Sequence, residues 1–284
     1  MKKLPPSLHP LKRRFAALFS LTAILVLTLA ACGGGSDPSP TPTILPTGSV
    51  QEPISTPLPG QTTVGMLADR IAAAWPTVSA IRQVYSTSFD SATPTASPTA
   101  SNQYEVVTEV DADGNKQITV TAMGIVFTQL IAIRGQIWVW GFYEALNIPD
   151  SVLGDPFGDG WMSVDTAAAS GDATFNQLVL NLLSPFPVVY SGLNDAQRAR
   201  VVEPLGQQVI DGRTCTSYRI PNTTETGQAY DDTLSLDETG LPCSIVTTGL
   251  GQTTTISYEF NTPIEISAPS TTPSTPSASP AAAS

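Results

Sequence analysis

The chain has 284 residues, 24 Asp+Glu against 13 Lys+Arg, and a formal net charge of −11. So acidic a surface repels phosphate backbones and excludes nucleic acid as a natural partner. The one histidine, His9, lies in an N-terminal segment with the marks of a cleaved signal, which leaves no imidazole for a Ser-His-Asp or Cys-His arrangement or for a metal site.

Residues 1–14 carry Lys2, Lys3, Lys12, Arg13 and Arg14 and no acidic residue, and Phe15 to Ala31 is an uncharged, mostly apolar run of 17. A basic head, a short apolar stretch and small residues at the boundary form the pattern of an export signal. At 17 residues the run is at the lower limit for an uncleaved membrane span. Leu29-Ala30-Ala31-Cys32 resembles the lipobox of bacterial lipoproteins, in which the signal is cut before a lipidated cysteine. Residues 1–31 are therefore expected to be a lipoprotein signal peptide and Cys32 the attachment point of a palmitate-type lipid. Cleavage leaves 8 basic against 24 acidic residues, a net charge of −16.

Residues 32–61 are rich in Pro, Ser, Thr and Gly, too polar to build a core, and favour extended polyproline II. At about 3.1 Å per residue such a leash reaches roughly 90 Å from a membrane. Residues 267–284 form a similar tail and 91–102 a shorter insertion of the same kind. Residues 62–266 remain as one domain with room for a core.

Thr62 or Thr63 is placed to cap a helix in which Val64, Leu67, Ala68, Ile71, Ala74, Trp75 and Val78 recur at helical spacing, kinked or ended by Pro76. Strands are predicted from Arg82, over Tyr104–Val110 and over Lys116–Ala122, the last two joined by the turn at Asp111-Ala112-Asp113-Gly114. That turn has two ligands of a calcium loop and lacks the rest. Ile125–Ile133 and Gln136–Phe142 follow as a hairpin around Arg134-Gly135. In its second strand Ile137 and Val139 alternate with Trp138, Trp140 and Phe142, so both faces are apolar and each needs a cover. A helix is predicted through Phe175, Leu178, Val179, Leu182 and Leu183, and a short polar one from Asn194. Val209–Ile220, Tyr230–Asp237, Cys243–Thr248 and Thr253–Phe260 read as four strands. This order gives an α+β fold with a large antiparallel sheet.

Cys215 and Cys243 are 28 positions apart, and in an oxidising compartment a pair is expected to form a disulfide. As a meander, however, their strands flank a third, and two strand spacings are roughly 9.5 Å where a disulfide wants Cα atoms within about 7 Å. Either the Gly240-Leu241-Pro242 turn folds back over the sheet end, or there is no bond.

No catalytic constellation is expected, and no cofactor. Lys116, the only lysine after Cys32, sits in a predicted hairpin as an exposed residue, which makes a Ser-Lys dyad a poor reading. Asp155, Asp159 and Asp165 around "GDPFGDGW" read as solvated loop charges rather than a carboxylate pair.

The stretches QQVIDGRTCTSYRIP, DTLSLDETGLPCSIV and TTISYEFNTPIEISAP follow one another over residues 205–269. In order and wording they resemble the LolA/LolB and LppX/LprG lipoprotein-carrier superfamily, most specifically in Tyr258 to Pro269. The resemblance implies a strongly curved, unclosed antiparallel half-barrel with helices packed in its mouth around an apolar cavity for acyl chains. It also implies a lipid-anchored protein on the extracytoplasmic face of the cell membrane, or on an outer membrane where there is one, that binds and shuttles or presents a lipid. An envelope protein partner is compatible with it. By strand parity and helix face, Phe127, Ile131, Trp138, Trp140, Phe142, Leu178, Leu182 and Phe186 are the expected cavity lining, each of which could equally be plain core. The rival reading is a non-catalytic structural or interaction module with a filled interior.

Overall fold

A computed structural model describes residues 60–89, 104–142, 148, 150–156, 158–166, 173–224, 227–249 and 251–269. The expected signal, Cys32, the leash up to residue 59, the 91–102 insertion and the tail beyond residue 269 lie outside them. Among the described residues, twelve strands form one antiparallel sheet: β1 Ile81–Phe89, β2 Tyr104–Val110, β3 Lys116–Ala122, β4 Ile125–Ile133, β5 Gln136–Gly141, β6 Leu153–Pro156, β7 Trp161–Val164, β8 Glu203–Ile210, β9 Arg213–Thr223, β10 Ala229–Asp237, β11 Pro242–Gly249 and β12 Gln252–Phe260. Their spatial order is β6-β7-β5-β4-β3-β2-β1-β12-β11-β10-β9-β8, so β6 and β8 are free edges and the half-barrel is unclosed. Irregularities interrupt the β3–β4, β6–β7, β8–β9 and β10–β11 pairings. Such bulges bend a strand and increase its local twist, which is how so wide a sheet curves.

Helix α1, Val64–Ala74, begins where the sequence places it: the Thr63 hydroxyl accepts from the Met66 N–H at 3.3 Å. It buries Val64, Leu67 and Ile71 against Ile220, Leu234 and Leu236 of β9 and β10. Arg70 fastens it to the β10–β11 turn by donating to the carbonyls of Asp237 and Glu238. The second helix, α2 (Ala173–Leu183), buries Leu178, Val179 and Leu182 against Leu130, Ala132, Ile137, Val139 and Val164. A single turn, α3 (Asp195–Arg198), carries a capping box made by Asn194 and Gln197. It lies so close to α1 that a Cβ on Gly65 would come within 3.0 Å of the Arg198 carbonyl oxygen.

Two stretches differ from the sequence reading. The solvated loop expected around "GDPFGDGW" holds β6, β7 and a turn of 3-10 helix between them, in which the carbonyl of exposed Asp159 accepts from the Trp140 indole at 2.9 Å. The single strand expected over Val209–Ile220 is a hairpin, β8–β9, reversing at Asp211-Gly212 with both residues at positive φ (47° and 77°). Asp-Gly is the residue pair that such a two-residue turn demands.

The cysteines are bonded, with Cα atoms 6.5 Å apart. Leu236 pairs with Pro242 and Ser235 with Ser244, which leaves Cys243 as the extra residue of a bulge in β11. Relief of the ladder at that point lets it reach across β10 to Cys215 of β9. The side chains beside the bridge are small: Ser217 and Ser235 share a 2.8 Å hydrogen bond, and the Gln208 amide donates to both.

Lys116 is the clearest departure. It is 5% exposed rather than out in solvent, and its ammonium donates to the carbonyls of Asn181 (2.8 Å) and Ser184 at the C-terminal end of α2. A cation there satisfies orphan carbonyls and suits the negative end of the helix dipole. Burial nevertheless pulls its pKa down from 10.5 to about 8. Between those values the unfolded chain retains a proton that the folded chain has shed, so this residue makes stability rise with pH across that window. Below pH 8 the contribution is lost, because the charged form must then be held in a desolvated place. The difference in urea midpoint between wild type and Lys116→Met should therefore shift in favour of wild type as pH climbs through the window. A difference independent of pH would contradict the assignment.

Candidate functional site

Strand register resolves the face on which both helices lie into rows. The innermost runs Ile137, Ala132, Lys116, Val110, Ile81 and Phe260 across β5, β4, β3, β2, β1 and β12. The next runs Val139, Leu130, Ile118, Thr108, Gln83 and Tyr258, and the third Gly141, Thr128, Val120, Val106, Tyr85, Ile256, Ile245 and Leu234. The fourth runs Ile125, Ala122, Tyr104, Thr87, Thr254, Thr247 and Asp232, apolar on β4 and β3 and polar from β2 through β1, β12 and β11 to β10. Along the latter strands the face thus passes from a mostly apolar floor to a polar margin.

Among the described residues, the helices cover the two flanks. Between them lies a third apolar cluster, Tyr85, Val106 and Val120, packed with Tyr104, Ile118, Ala122, Phe127, Phe142 and Ile256. Among the described residues, no member of it comes from a helix. Phe127 and Phe142 reach it through backbone irregularity. Phe127 is the extra residue of the β3–β4 bulge. Gly141, at φ 85°, turns the chain so that the Phe142 N–H donates to the Phe127 carbonyl at 2.7 Å, and a Cβ there would meet that oxygen at 2.2 Å.

The polar margin is internally satisfied. Thr87 and Thr254, both buried, share a hydrogen bond of 3.3 Å. Asp232 accepts from the Thr247 hydroxyl at 2.5 Å and from the Asn222 amide at 2.7 Å, and Arg200 donates to Asn222. Burial raises the Asp232 carboxyl above its ordinary range despite the Thr247 hydrogen bond and nearby Arg200. Burial, with a contribution from Asp232, raises the Tyr190 phenol, and burial alone dominates the rise at Tyr258. Tyr104 is pushed up to about 12 by burial and then by Tyr85. The three phenols are thereby held in their neutral form. A separate surface pocket of about 210 Å³ lies between α1 and residues 188–193, with the Asp69–Arg198 ion pair, 2.6 Å, in its wall.

The expected lining residues do not gather in one place. Leu178 and Leu182 face the sheet from α2, and Phe127 and Phe142 belong to the central cluster. Ile131, Trp138 and Trp140 are of opposite parity to Leu130, Ile137 and Val139 and lie on the other face of the sheet, where Ile131 and Trp138 are buried and Trp140 half-buried. Phe186 stacks on Trp75 with ring centroids 6.3 Å apart, beside the α1 cluster. Sequence reasoning missed Tyr85, Val106 and Val120; the signal for them was the alternation Tyr104-x-Val106-x-Thr108-x-Val110 taken in register with its neighbours. In the Asp111 turn the carboxylate accepts from the Asp113 and Asn115 N–H groups and the Asn115 amide.

No family model and no curated protein matches the sequence. Solved structures similar to the chain include lipoprotein LppX of Mycobacterium tuberculosis, at 11% identity, covering 72% of this chain and 97% of that one with a TM-score of 0.40. LprF of Mycobacterium bovis is 11% identical over 74% and 100% of the two chains, TM-score 0.40. A LolA superfamily protein of Nitrosomonas europaea is 9% identical over 70% and 92%, TM-score 0.25. The chain itself has the architecture that the resemblance over residues 205–269 implies, an unclosed antiparallel half-barrel with helices packed on one face.

Proposed function

We propose that the protein is a lipid-anchored, extracytoplasmic carrier that holds an amphiphile against the central stretch of the helix-bearing face and shuttles or presents it. The observation that carries this reading is the strand-only apolar cluster of Tyr85, Val106 and Val120 between two helix-covered flanks, bordered at one end by a polar row. An acyl chain laid along the strands, across the rows, gains about 0.8 kcal/mol per buried methylene, with its head toward the polar row. Cys32 would supply the anchor, and the Pro-rich leash the reach. The β3–β4 hairpin tip at the polar end also leaves Met123, Ile125 and Val126 exposed at 56%, 64% and 41%, an uncharged surface suited to meeting a membrane or an envelope partner. The reading is non-catalytic; Lys116, the one lysine after Cys32, is occupied by helix carbonyls.

A second reading, an interaction module with a filled interior, is favoured by one observation: Tyr85, Val106 and Val120 are only 4%, 7% and 3% exposed with no ligand present. Titration of the full chain carrying Cys32→Ser with a fluorescent fatty-acyl probe separates the two. The carrier gives saturable binding that unlabelled lipid competes away; a linear, non-competable signal supports the filled module.

A further inference from the structure

Thr128 is 1% exposed, yet its hydroxyl oxygen has no hydrogen-bond partner. It pairs with Val120 on β3 and Gly141 on β5, so it belongs to the third row and faces the same side as the central cluster. A buried hydroxyl without a partner costs about 1–3 kcal/mol, and valine has the same shape without that cost. The hydroxyl has one proton to donate, and unpaired buried donors are rarer than under-used acceptors. The missing group is therefore an acceptor. It must also be uncharged, because an ion would be desolvated among apolar side chains.

Position narrows it further. Thr128 is the third-row residue of β4, two strands from Val106, and the row beyond it continues across β3 and β4 as Ala122 and Ile125, so its hydroxyl is an isolated polar group on an apolar stretch that a chain held against the central cluster would meet. Resting on the lipid-binding reading, we propose that Thr128 donates its hydroxyl proton to the carbonyl oxygen of an acyl ester, so that the protein takes ester-linked rather than ether-linked lipids. The remainder of the site is indifferent to this distinction. The apolar rows sense only chain length, and Thr87, Thr254 and Asp232 are already bonded to one another or to neighbours.

The test uses the full chain with Cys32→Ser, so that no attached acyl group competes, and two probes of equal chain length, monopalmitoylglycerol and its hexadecyl ether analogue. Wild type should bind the ester about three- to tenfold more tightly, the range of one net hydrogen bond. Thr128→Val should bring the ester down to the affinity of the ether, leave the ether unchanged, and melt no lower than wild type. Thr128→Ser, which keeps the hydroxyl, should retain the preference. Equal losses for both probes, or no loss for the ester in Thr128→Val, would overturn the assignment while leaving lipid binding intact. A wild type that binds neither probe would instead overturn the lipid-binding reading beneath it.

Discussion

Replacing Cys215 and Cys243 together by alanine is expected to destabilise the protein by about 3–4 kcal/mol, the chain-entropy value for the loop they close. The residues are 28 apart in sequence and neither has any exposed surface, so the bond constrains the unfolded chain and is shielded in the folded one. For a domain of this size the melting temperature should fall by about 10 °C. The cross-link also holds β9 to β11 across β10, under the sheet segment that receives Leu67 and Ile71 of α1. Thermal unfolding with and without reductant checks the point: wild type should lose most of that margin on reduction, and the double variant should not respond. A double variant as stable as wild type would mean that the bulge at Cys243 holds the strands together without the bond.

Val106→Trp is expected to have the largest effect on function. Val106 is at the centre of the third row, between Tyr85 and Val120. An indole there would displace about four methylenes of a bound chain, roughly 3 kcal/mol or about a hundredfold in affinity. If the space above the row accommodates a ligand, the indole occupies it at a cost within the usual range for overpacking, about 1–3 kcal/mol or less. If the interior is filled by the protein's own side chains, the same substitution should unfold the domain. Urea midpoints together with probe titration give the two numbers. Retained stability with lost binding supports the carrier, and loss of both at once supports the filled module.

The sequence carried the elements better than their faces. The Thr63 cap, the Asp111 turn and the spacing of Leu178, Val179, Leu182 and Leu183 are local signals, and the structure has elements at each. β6 is Leu-Gly-Asp-Pro, and pairing with β7, itself paired with β5, makes it a strand where propensity does not. The Asp211-Gly212 signal was present and was absorbed into one long strand. The site was less legible because β5 is apolar on both faces. Periodicity could not say whether Trp138 and Trp140 or Ile137 and Val139 meet the helix; Ile137 and Val139 do. Bulges then override parity, since Phe127 and Phe142 reach the central cluster only through the irregularity at Val120/Thr121 and the turn at Gly141. Likewise, nothing local to Lys116 foretells burial, which depends on where the end of α2 docks.

Native mass spectrometry of the full chain, purified from the membranes of its own cells, bears most directly on the claim that this face holds a lipid. The expected result is a complex several hundred daltons heavier than the acylated chain, whose extra mass is released on collisional activation and absent from Val106→Trp. A chain that arrives at its own mass alone and stays there after incubation with a total lipid extract would contradict the account.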